Sequence, residues 1–325
     1  MPAFILRRLF QAALVLLAVA LISFALFRFV GDPVNQIVGV EASAADRAQI
    51  REELGLNDPV VLQFARFAMR AAQLDFGMSY QFRQPVSELL ISRFPATLEL
   101  AIVSMILAIG VGIPMGVYTA LYRDSLLSKA FQALSLAGIS LPTFLIGILM
   151  IYVFSVLLGL FPSYGRGDVV DLGWWTTGLL TRSGWAAIFM PAVTLAMFQM
   201  TLIMRIVRAE MLEVLRTDYI KFAKARGLPA RIVNFGHALR NTMVPVITII
   251  GLELGSVIAF AIITESVFQW PGMGLLFLNA VQNADIPIMA GYLILISVIF
   301  VVINLMVDLL YVQVDPRLKS SIQKD

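Results

Sequence analysis

Hydrophobic residues along this chain gather into long, nearly uninterrupted runs. A helix needs about 20 mostly apolar residues to cross roughly 30 Å of hydrocarbon, and six runs reach that length with few charges. These runs are Leu9–Val30, Leu98–Leu121, Phe131–Leu160, Ala187–Val207, Pro245–Ser266 and Met289–Tyr311. The third run is the longest, and we expect it to tilt or to turn near Pro142. The pattern predicts an all-α integral membrane protein with about six transmembrane helices.

The first run has to be distinguished from a cleaved secretory signal. Arg7 and Arg8 precede it, and Ala18-Val19-Ala20 offers a small-residue cleavage pattern. The apolar part of a signal is typically about 7–15 residues long, whereas this run continues to Val30. We therefore predict an uncleaved first transmembrane helix.

The positions of Lys and Arg predict the orientation of the spans, because short cytoplasmic loops carry an excess of both. In a six-span arrangement most of these cations fall on one side: Arg7, Arg8, Arg123, Lys129, the segment from Arg205 to Arg240, Arg317, Lys319 and Lys324. The short loops of the other side carry only Arg166 and Arg182. The loop at 31–97 is long enough to be translocated whatever its charge, so it has little weight here. Both termini are therefore expected in the cytoplasm.

Composition narrows the classes of function. Of the 325 residues, 59% are hydrophobic and 14% are charged, whereas about 25% are charged in an average soluble domain. A net charge of only +3 argues against a nucleic-acid partner. Cysteine is absent and His237 is the single histidine, which excludes disulfides and Cys-based metal sites. No G-x-x-x-x-G-K-S/T phosphate loop occurs, so any ATP must be handled by a partner.

The long loop after the first run carries an amphipathic pattern. Asn57-Asp58-Pro59 supplies a capping residue and a helix-starting proline. Apolar residues then recur at helical spacing, at Val60, Phe64, Phe67, Ala68, Ala71 and Leu74. This predicts a helix that lies on the outer membrane face or on the protein's own spans, with contact to a delivery protein as the alternative.

The most polar part of the chain lies between the fourth and fifth runs, on the predicted cytoplasmic side. Asp218 can cap a short helix in which Tyr219, Phe222 and Ala223 share one face, and Gly227 ends it. An exposed aromatic face with a basic rim indicates a protein partner. A basic loop that lies against lipid headgroups is the simpler alternative.

This polar segment resembles the cytoplasmic coupling loop of one known family. Its matching stretches are Asp218-Tyr219-Ile220, Ala223-Lys224-Ala225-Arg226-Gly227-Leu228, His237-Ala238-Leu239-Arg240-Asn241 and Pro245. Further stretches match in family order: Gly31-Asp32-Pro33, Leu54-Gly55-Leu56, Asp75-Phe76-Gly77-Met78-Ser79, Arg93-Phe94-Pro95-Ala96-Thr97-Leu98-Glu99, Ser140-Leu141-Pro142, Glu265-Ser266-Val267-Phe268, Trp270-Pro271-Gly272-Met273-Gly274 and Asp315-Pro316-Arg317. The chain is thus similar to the permease subunits of binding-protein-dependent ABC importers, in the dipeptide, oligopeptide, glutathione and nickel group. The Glu-Ala-Ala of the wider superfamily is replaced here by Lys221, Phe222 and Ala223, as in the looser version of the peptide group.

The resemblance implies a type I ABC importer permease fold in a bacterial inner membrane, with a large extracytoplasmic loop after the first helix. Residues 1–97 are expected to form the first helix and this loop, 98–311 a five-helix core with a coupling loop at 208–244, and 312–325 a cytoplasmic tail. The implied partners are the lipid bilayer, a second homologous permease subunit, two cytosolic ATPase subunits that use ATP and Mg²⁺, and an extracytoplasmic solute-binding protein. The chain itself is expected to bind no cofactor, to catalyse no reaction and to form half of the translocation pathway.

The resemblance also assigns contacts with the ATPase. They fall on Asp218, Tyr219, Phe222, Ala223, Lys224, Ala225, Arg226, Gly227, His237 and Arg240. From the residues alone, we expect His237 to be a helix-packing contact rather than a ligand.

Two carboxylates mark the fifth run as a candidate pathway element, because a charge within hydrocarbon is costly unless it faces protein or water. Glu253 lies between Gly251 and Gly255, a spacing that permits close helix approach. It either lines the pore or makes a packed hydrogen bond. Glu265, at the outer end of the run, either belongs to an external gate or is a solvated helix end.

Three further residues complete the candidate set. Ser140 and Pro142 are tentative pathway residues at the middle of the third run. Asp308 lies near the cytoplasmic end of the sixth run, and we expect it to have a structural role close to Arg317 or to the coupling loop.

Two other classes of function compete with this interpretation. A secondary transporter would show inverted repeats and paired broken helices, and no repeat is evident. An intramembrane protease is suggested by the G-x-G-D pattern at Gly165–Asp168, but its aspartate falls in an outer loop without a partner carboxylate in a span. An H-E-x-x-H zinc site is excluded by the single histidine.

The substrate is the least determined part of the prediction. Peptides are the first choice within the family, and nickel chelates, opines and sugars are the alternatives. The absence of cysteine disfavours a direct path for nickel. The segment from Gly165 to Trp185, with Trp174 and Trp175, has no assigned motif.

Overall fold

Helices form nearly every ordered element of the computed structural model, which describes residues 2–29, 34, 43–53 and 56–314. In chain order they are α1 (Pro2–Phe29), α2 (Ala44–Glu53), α3 (Val60–Ala72), α4 (Val86–Leu121), α5 (Leu126–Ser140), α6 (Thr143–Met150), α7 (Arg182–Val214), α8 (Asp218–Ala225), α9 (Leu239–Val267), α10 (Met273–Gln282) and α11 (Ile286–Val314). A π-helical turn, Ile151–Leu157, continues α6, and a second one, Ile232–Ala238, leads into α9. Two short antiparallel strands, β1 (Val170–Asp171) and β2 (Thr176–Thr177), form a hairpin before α7.

Five of the described helices are long and apolar enough to cross a membrane: α1, α4, α7, α9 and α11. The sixth predicted span is a broken one, in which α5 and α6 with its π-helical turn meet at an angle of 113°. Leu141 at the break is extended, as a residue before proline prefers, and Pro142 cannot continue the hydrogen bonds of α5. The all-helical membrane fold is therefore confirmed, and the expected turn near Pro142 is a sharp break.

Two of the spans are much longer than the apolar runs that predicted them. Helix α4 begins at Val86, not at Leu98, and α7 extends from Arg182 to Val214, beyond the predicted end at Val207. Hydropathy marks only the part of a helix that can lie in hydrocarbon, so polar turns at either end escape it.

The chain folds as two compact units, of which unit 1 comprises Met1–Pro95 and Pro271–Val301. In unit 1, α3 packs on the first span, since the ring of Phe24 lies 5.6 Å from that of Phe64 and 5.9 Å from that of Phe67. The predicted amphipathic helix thus lies on the protein's own spans. Leu74, which was expected to belong to its apolar face, lies beyond the helix end with a φ of 60° and is exposed.

A buried carboxylate organises the loop between α3 and α4 in unit 1. Asp285 is fully buried and accepts hydrogen bonds from Ser79 Oγ at 2.5 Å and from the backbone N–H of Gln81 at 3.1 Å. Burial, with the negative charge of Asp285 as a second cause, raises the pKa of Tyr80 to about 12. The loop is therefore held by a charged acceptor at Asp285, the residue directly before α11.

Unit 2 comprises Ala96–Trp270 and Val302–Asp325, and α7 runs through its core. Small residues allow close approach between its helices. A Cβ atom at Gly116 of α4 would lie 2.6 Å from Cβ of Val207 and 2.8 Å from the carbonyl oxygen of Met204, both on α7. Gly251 of α9 also packs closely, since its Cβ would lie 2.5 Å from Cγ1 of Val307, so close helix approach is found at the first glycine of the predicted Gly-x-x-x-Gly pair.

Candidate functional site

The short helix α8 lies in the segment that was predicted to face the cytoplasm and to have a coupling role. Its N-cap residue is Thr217, so Asp218 is the first helical residue and not the cap that was predicted. The Asp218 carboxylate accepts a hydrogen bond from Lys221 Nζ at 2.9 Å, and this contact holds the pKa of Asp218 below its ordinary value. A negative charge in the first turn also complements the helix dipole.

The far end of α8 is closed by a Schellman motif, as the predicted stop at Gly227 requires. Gly227 adopts a φ of 78°, which a residue without Cβ reaches without strain. The backbone N–H of Leu228 donates to Ala223 O at 3.3 Å, and that of Gly227 donates to Lys224 O at 2.9 Å. The helix therefore has a defined length and cannot extend into the next segment.

The two faces of α8 have opposite environments. Ile220 is fully buried and Ala223 is 8% exposed, and both belong to the core of unit 2. Tyr219 and Phe222 are 43% and 63% exposed. The prediction that Ala223 shares the face of the aromatic residues is wrong, because Ala223 follows Ile220 at i+3 and lies on the packed face.

The exposed aromatic side chains have basic neighbours. The guanidinium of Arg226 lies 5.7 Å from the Phe222 ring centroid, and Asn241 Nδ2 at the start of α9 donates to Tyr219 Oη. Phe235 of the second π-helical turn is half exposed. We call the exposed residues of this region the aromatic-basic surface: Tyr219, Phe222, Lys224, Ala225, Arg226, Gly227, Phe235, His237 and Arg240. His237 is exposed, so its interpretation as a helix-packing contact is not supported.

The packed face of α8 joins the aromatic-basic surface to the spans. Ile220 and Ala223 share one core with Met211 of α7, Val233 of the π-helical turn and Val246 of α9. Interiors of this kind transmit displacement because they are close-packed. A force applied to Phe222 or Tyr219 therefore reaches α7 and α9 through direct contact.

The candidate pathway residues differ in their surroundings. Glu253 is half-buried in α9, and its carboxylate accepts a hydrogen bond from Ser256 Oγ, one turn along the same helix, at 3.1 Å. Ser140 and Pro142 are exposed on either side of the break between α5 and α6. The side chain of Asp308 and the whole of Arg317 lie outside the described residues.

Glu265 lies in a polar cluster that was not expected at the end of a span. Its side chain is fully buried and accepts a hydrogen bond from Thr97 Oγ1 at 2.6 Å, so the interpretation as a solvated helix end is wrong. Trp270 follows in the same region, where its indole N–H donates to Ala96 O at 2.9 Å. Both contacts join α4, at Ala96 and Thr97, to the end of α9 and the residues just after it.

A buried ion pair in this region escaped the sequence analysis. Arg166 Nη2 lies 2.6 Å from the Glu99 carboxylate, and the two side chains are 7% and 4% exposed. Arg166 also donates to Thr176 O at 2.7 Å and lies 6.0 Å from the Trp270 ring. The signals in the sequence are a carboxylate at the start of an apolar run and one of the two arginines in a loop that was predicted to lie outside.

The G-x-G-D pattern has a structural explanation. The Asp168 carboxylate is exposed and accepts a hydrogen bond from Ser183 Oγ at 2.6 Å, while the Asp168 backbone N–H donates to the same hydroxyl oxygen at 3.0 Å. These contacts fix the turn before α7. Among the residues that the structure describes, no three His, Cys, Asp or Glu side chains gather in a way that could hold a metal ion.

The fold and these sites have counterparts in known proteins. Residues 112–320 match the family model for the binding-protein-dependent transport system inner membrane component, and residues 1–101 match the model for the N-terminal part of such membrane components. An inward-facing structure of the MetNI methionine ABC transporter is similar to the chain with a TM-score of 0.56 and 20% identity. That likeness covers 70% of this chain and 96% of the other, and it supports the ABC transporter permease fold.

Curated relatives match the chain from end to end. The dipeptide transport system permease protein DppB of Escherichia coli (strain K12) is 37% identical over 333 residues, covering 97% of this chain and 98% of its own length. The protein of the same name from Alkalihalophilus pseudofirmus is 35% identical, covering 98% of this chain and 100% of its own length. The chain therefore belongs to the family of binding-protein-dependent transport system inner membrane components, as a multi-pass permease subunit of an ABC transporter.

Proposed function

We propose that this permease subunit forms half of a pathway through which a bacterium imports short peptides across its inner membrane. The full-length similarity to permeases named for dipeptide transport supports this substrate class. The other parts of the importer are a second homologous permease subunit, an extracytoplasmic solute-binding protein, and two cytosolic ATPase subunits that bind ATP and Mg²⁺. In this arrangement both termini of the chain face the cytoplasm.

The observation that carries the proposal is the aromatic-basic surface on α8. Phe222 is 63% exposed although it is large and apolar, and the opposite face of the same short helix is fixed in the core by Ile220. Large apolar side chains with an adjacent arginine are typical of the centre of a protein interface. A groove of the ATPase subunit is the partner we assign to this surface.

The coupling mechanism follows from the two faces of α8. When the ATPase subunits close, they displace the aromatic-basic surface, and the packed face passes this displacement to α7 and α9. The closed and open states of the ATPase thereby bias the pathway between two orientations, which requires that the ATPase binds the two permease states with different free energies. The Schellman motif at Gly227 keeps α8 from lengthening when the ATPase subunits displace it.

Within the membrane, we assign Glu253 to the pathway rather than to the lipid-facing surface. Its carboxylate is only half-buried in the single chain, and contact with hydrocarbon would cost several kcal/mol (about 2.5–3.5 on insertion scales). The second permease subunit or the aqueous pathway must therefore cover it. We also assign Ser140 and Pro142, which are exposed on either side of the break between α5 and α6, to the pathway, and the buried Glu265 to a positioning role.

The coupling assignment is tested with Phe222→Asp in the complete transporter. A carboxylate at this position loses the apolar contact, so we expect the ATPase subunits to be lost during purification and uptake to fall with them. Phe82→Asp is the matched control, since Phe82 is 40% exposed in the loop between α3 and α4, outside the aromatic-basic surface. Normal ATPase recovery with Phe222→Asp would refute the assignment.

The substrate class is tested separately, with the purified transporter in proteoliposomes. A labelled dipeptide is offered with the solute-binding protein and ATP, and ATP-dependent accumulation is expected. Nickel chelates, an opine and a simple sugar are offered in parallel. Uptake of one of these in place of the dipeptide would overturn the peptide proposal while leaving the coupling surface intact.

A further inference from the structure

Two elements that enter the membrane are connected by the hairpin segment, which we define as residues 158–185 and which includes the first turn of α7. The chain leaves the broken span at Leu157 and begins the next span at Arg182. Both ends of the segment are therefore fixed at the same membrane surface, whatever substrate the protein carries. This position was predicted from the sequence only as a loop without a motif.

The hairpin segment exposes several large apolar side chains. Trp174 is 84% exposed, Tyr164 73%, Leu180 68% and Trp185 52%. Its exposed carboxylates are used locally, since Asp168 binds Ser183 and the Asp171 carboxylate accepts a hydrogen bond from the Gly173 N–H at 2.8 Å. The exposed side chains that the segment leaves for contact with its surroundings are therefore mainly aromatic and aliphatic.

This apolar surface cannot collapse onto the protein, because the hairpin is fixed from within. Arg166 is held by Glu99 and by the carbonyl oxygen of Thr176 on β2, so the buried ion pair anchors the strands to α4. The indole N–H of Trp185 donates to Leu179 O at 2.8 Å, which leaves its ring outward and its polar group satisfied. The outward side chains are therefore preorganised.

The exposed surface of the hairpin segment is continuous with that of the span before it. Val156 and Leu157, at the end of the π-helical turn, are 66% and 60% exposed, and Leu158 and Leu160 follow at 55% and 61%. An exposed apolar stretch that follows directly on a membrane-spanning helix along the chain, as residues 156–160 do, is covered by the same medium as the helix. This continuity favours lipid over a soluble protein as the occupant.

We infer that the hairpin segment is an interfacial anchor that inserts Trp174, Tyr164 and Leu180 into the headgroup region of the bilayer. Indole and phenol rings prefer this region because they have an apolar body and a polar edge. Arg182, exposed at the first turn of α7, is placed at the same membrane surface, where its guanidinium can bind lipid phosphates. The anchor fixes the depth of α7 in the membrane and does not depend on the proposed substrate.

The absence of cysteine from the chain makes a direct test possible. Trp174→Cys and Leu180→Cys each accept a single nitroxide label in the complete transporter, assembled with cysteine-free partner subunits in phospholipid vesicles. Gln282→Cys, at the exposed end of α10, is the water-exposed control. Spin relaxation by oxygen, which concentrates in lipid, is compared with relaxation by a water-soluble nickel chelate, and depth is calibrated with doxyl-labelled lipids.

The labels at 174 and 180 are expected to collide several-fold more with oxygen, relative to the nickel chelate, than the label at 282. They are expected to lie at headgroup depth and to be unaffected by the solute-binding protein. Nickel accessibility equal to that at 282 would overturn the inference. Protection from both reagents would also overturn it, as would protection that appears only with the binding protein, because a protein would then cover the hairpin.

Discussion

Replacing Gly116 with alanine tests the packing of α4 on α7, on which the core of unit 2 depends. The added Cβ would lie 2.6 Å from Cβ of Val207 and 2.8 Å from the backbone oxygen of Met204. Ordinary van der Waals contact begins near 3.4 Å, so the two helices have to separate by about 0.8 Å. A backbone oxygen within a helix cannot turn aside as a flexible side chain can.

The magnitude follows from two opposing effects. Adding a methyl group to a well-packed interior typically costs about 1–3 kcal/mol, while alanine in place of glycine within a helix gains up to about 1 kcal/mol. With the middle of the first range, about 2 kcal/mol, set against this gain, the net expectation for Gly116→Ala is a loss of roughly 1–2 kcal/mol. Gly110→Ala is the matched control on the same helix, because its Cβ would meet nothing within 4 Å. Only the gain in helix propensity is expected there.

The assay is thermal unfolding of the purified transporter in detergent, followed by the loss of the monodisperse peak in size-exclusion chromatography. Gly116→Ala is expected to unfold at a lower temperature than the parent protein, and Gly110→Ala at the same or a higher temperature. If the two variants are equally stable, α4 and α7 do not approach as closely as the structure shows, and the reasoning fails.

Three further variants extend the reasoning to the polar sites. Arg166→Met leaves the Glu99 carboxylate buried and unpaired and should cost about 3–5 kcal/mol of stability in the detergent melt, whereas a second change, Glu99→Leu, should restore much of it. Glu253→Gln should reduce the rate of peptide uptake while leaving the yield of assembled transporter unchanged. Tyr80 should titrate near pH 12 in a tyrosinate absorbance titration, and Asp285→Asn should lower this value while burial keeps it above 10.

Each of these variants has an outcome that contradicts its premise. If Arg166→Met melts with the parent protein, the ion pair does not hold the hairpin. Unchanged uptake kinetics for Glu253→Gln would make that residue a packing group. For Tyr80, the raised pKa favours the neutral phenol in the folded state, so its contribution to stability is complete below pH 10 and is lost as pH rises through about 12. A variant Tyr80→Phe that shows the same base-induced transition would remove Tyr80 as its cause.

The apolar runs contain enough information to locate the membrane helices, because each run reports burial in hydrocarbon directly. The break at Pro142 was predictable for a similar reason, since a proline disrupts helix geometry whatever surrounds it. The stop of α8 at Gly227 is also local, because it depends on the conformation of one residue. Properties of this kind depend on the residue at a single position.

Contacts between distant parts of the chain could not be predicted in this way. Glu99 and Arg166 are 67 residues apart, and nothing in hydropathy pairs them. The face to which Ala223 belongs depends on the positions of Val233 and Met211, which pattern alone does not supply. The close approach at Gly116 was missed for the same reason, since a glycine within an apolar run does not indicate which residue packs against it.

The length of α7 determines how far a movement within unit 2 extends. A helix of 33 residues is about 50 Å long, and α7 has the hairpin segment at one end and leads to α8 at the other. If such a rod pivots at its outer end, a tilt of about 5° moves the opposite end by about 4 Å. With the anchored hairpin as the pivot, a rotation too small to disturb the packing near the hairpin would still move α8, at the far end of α7, by about 4 Å.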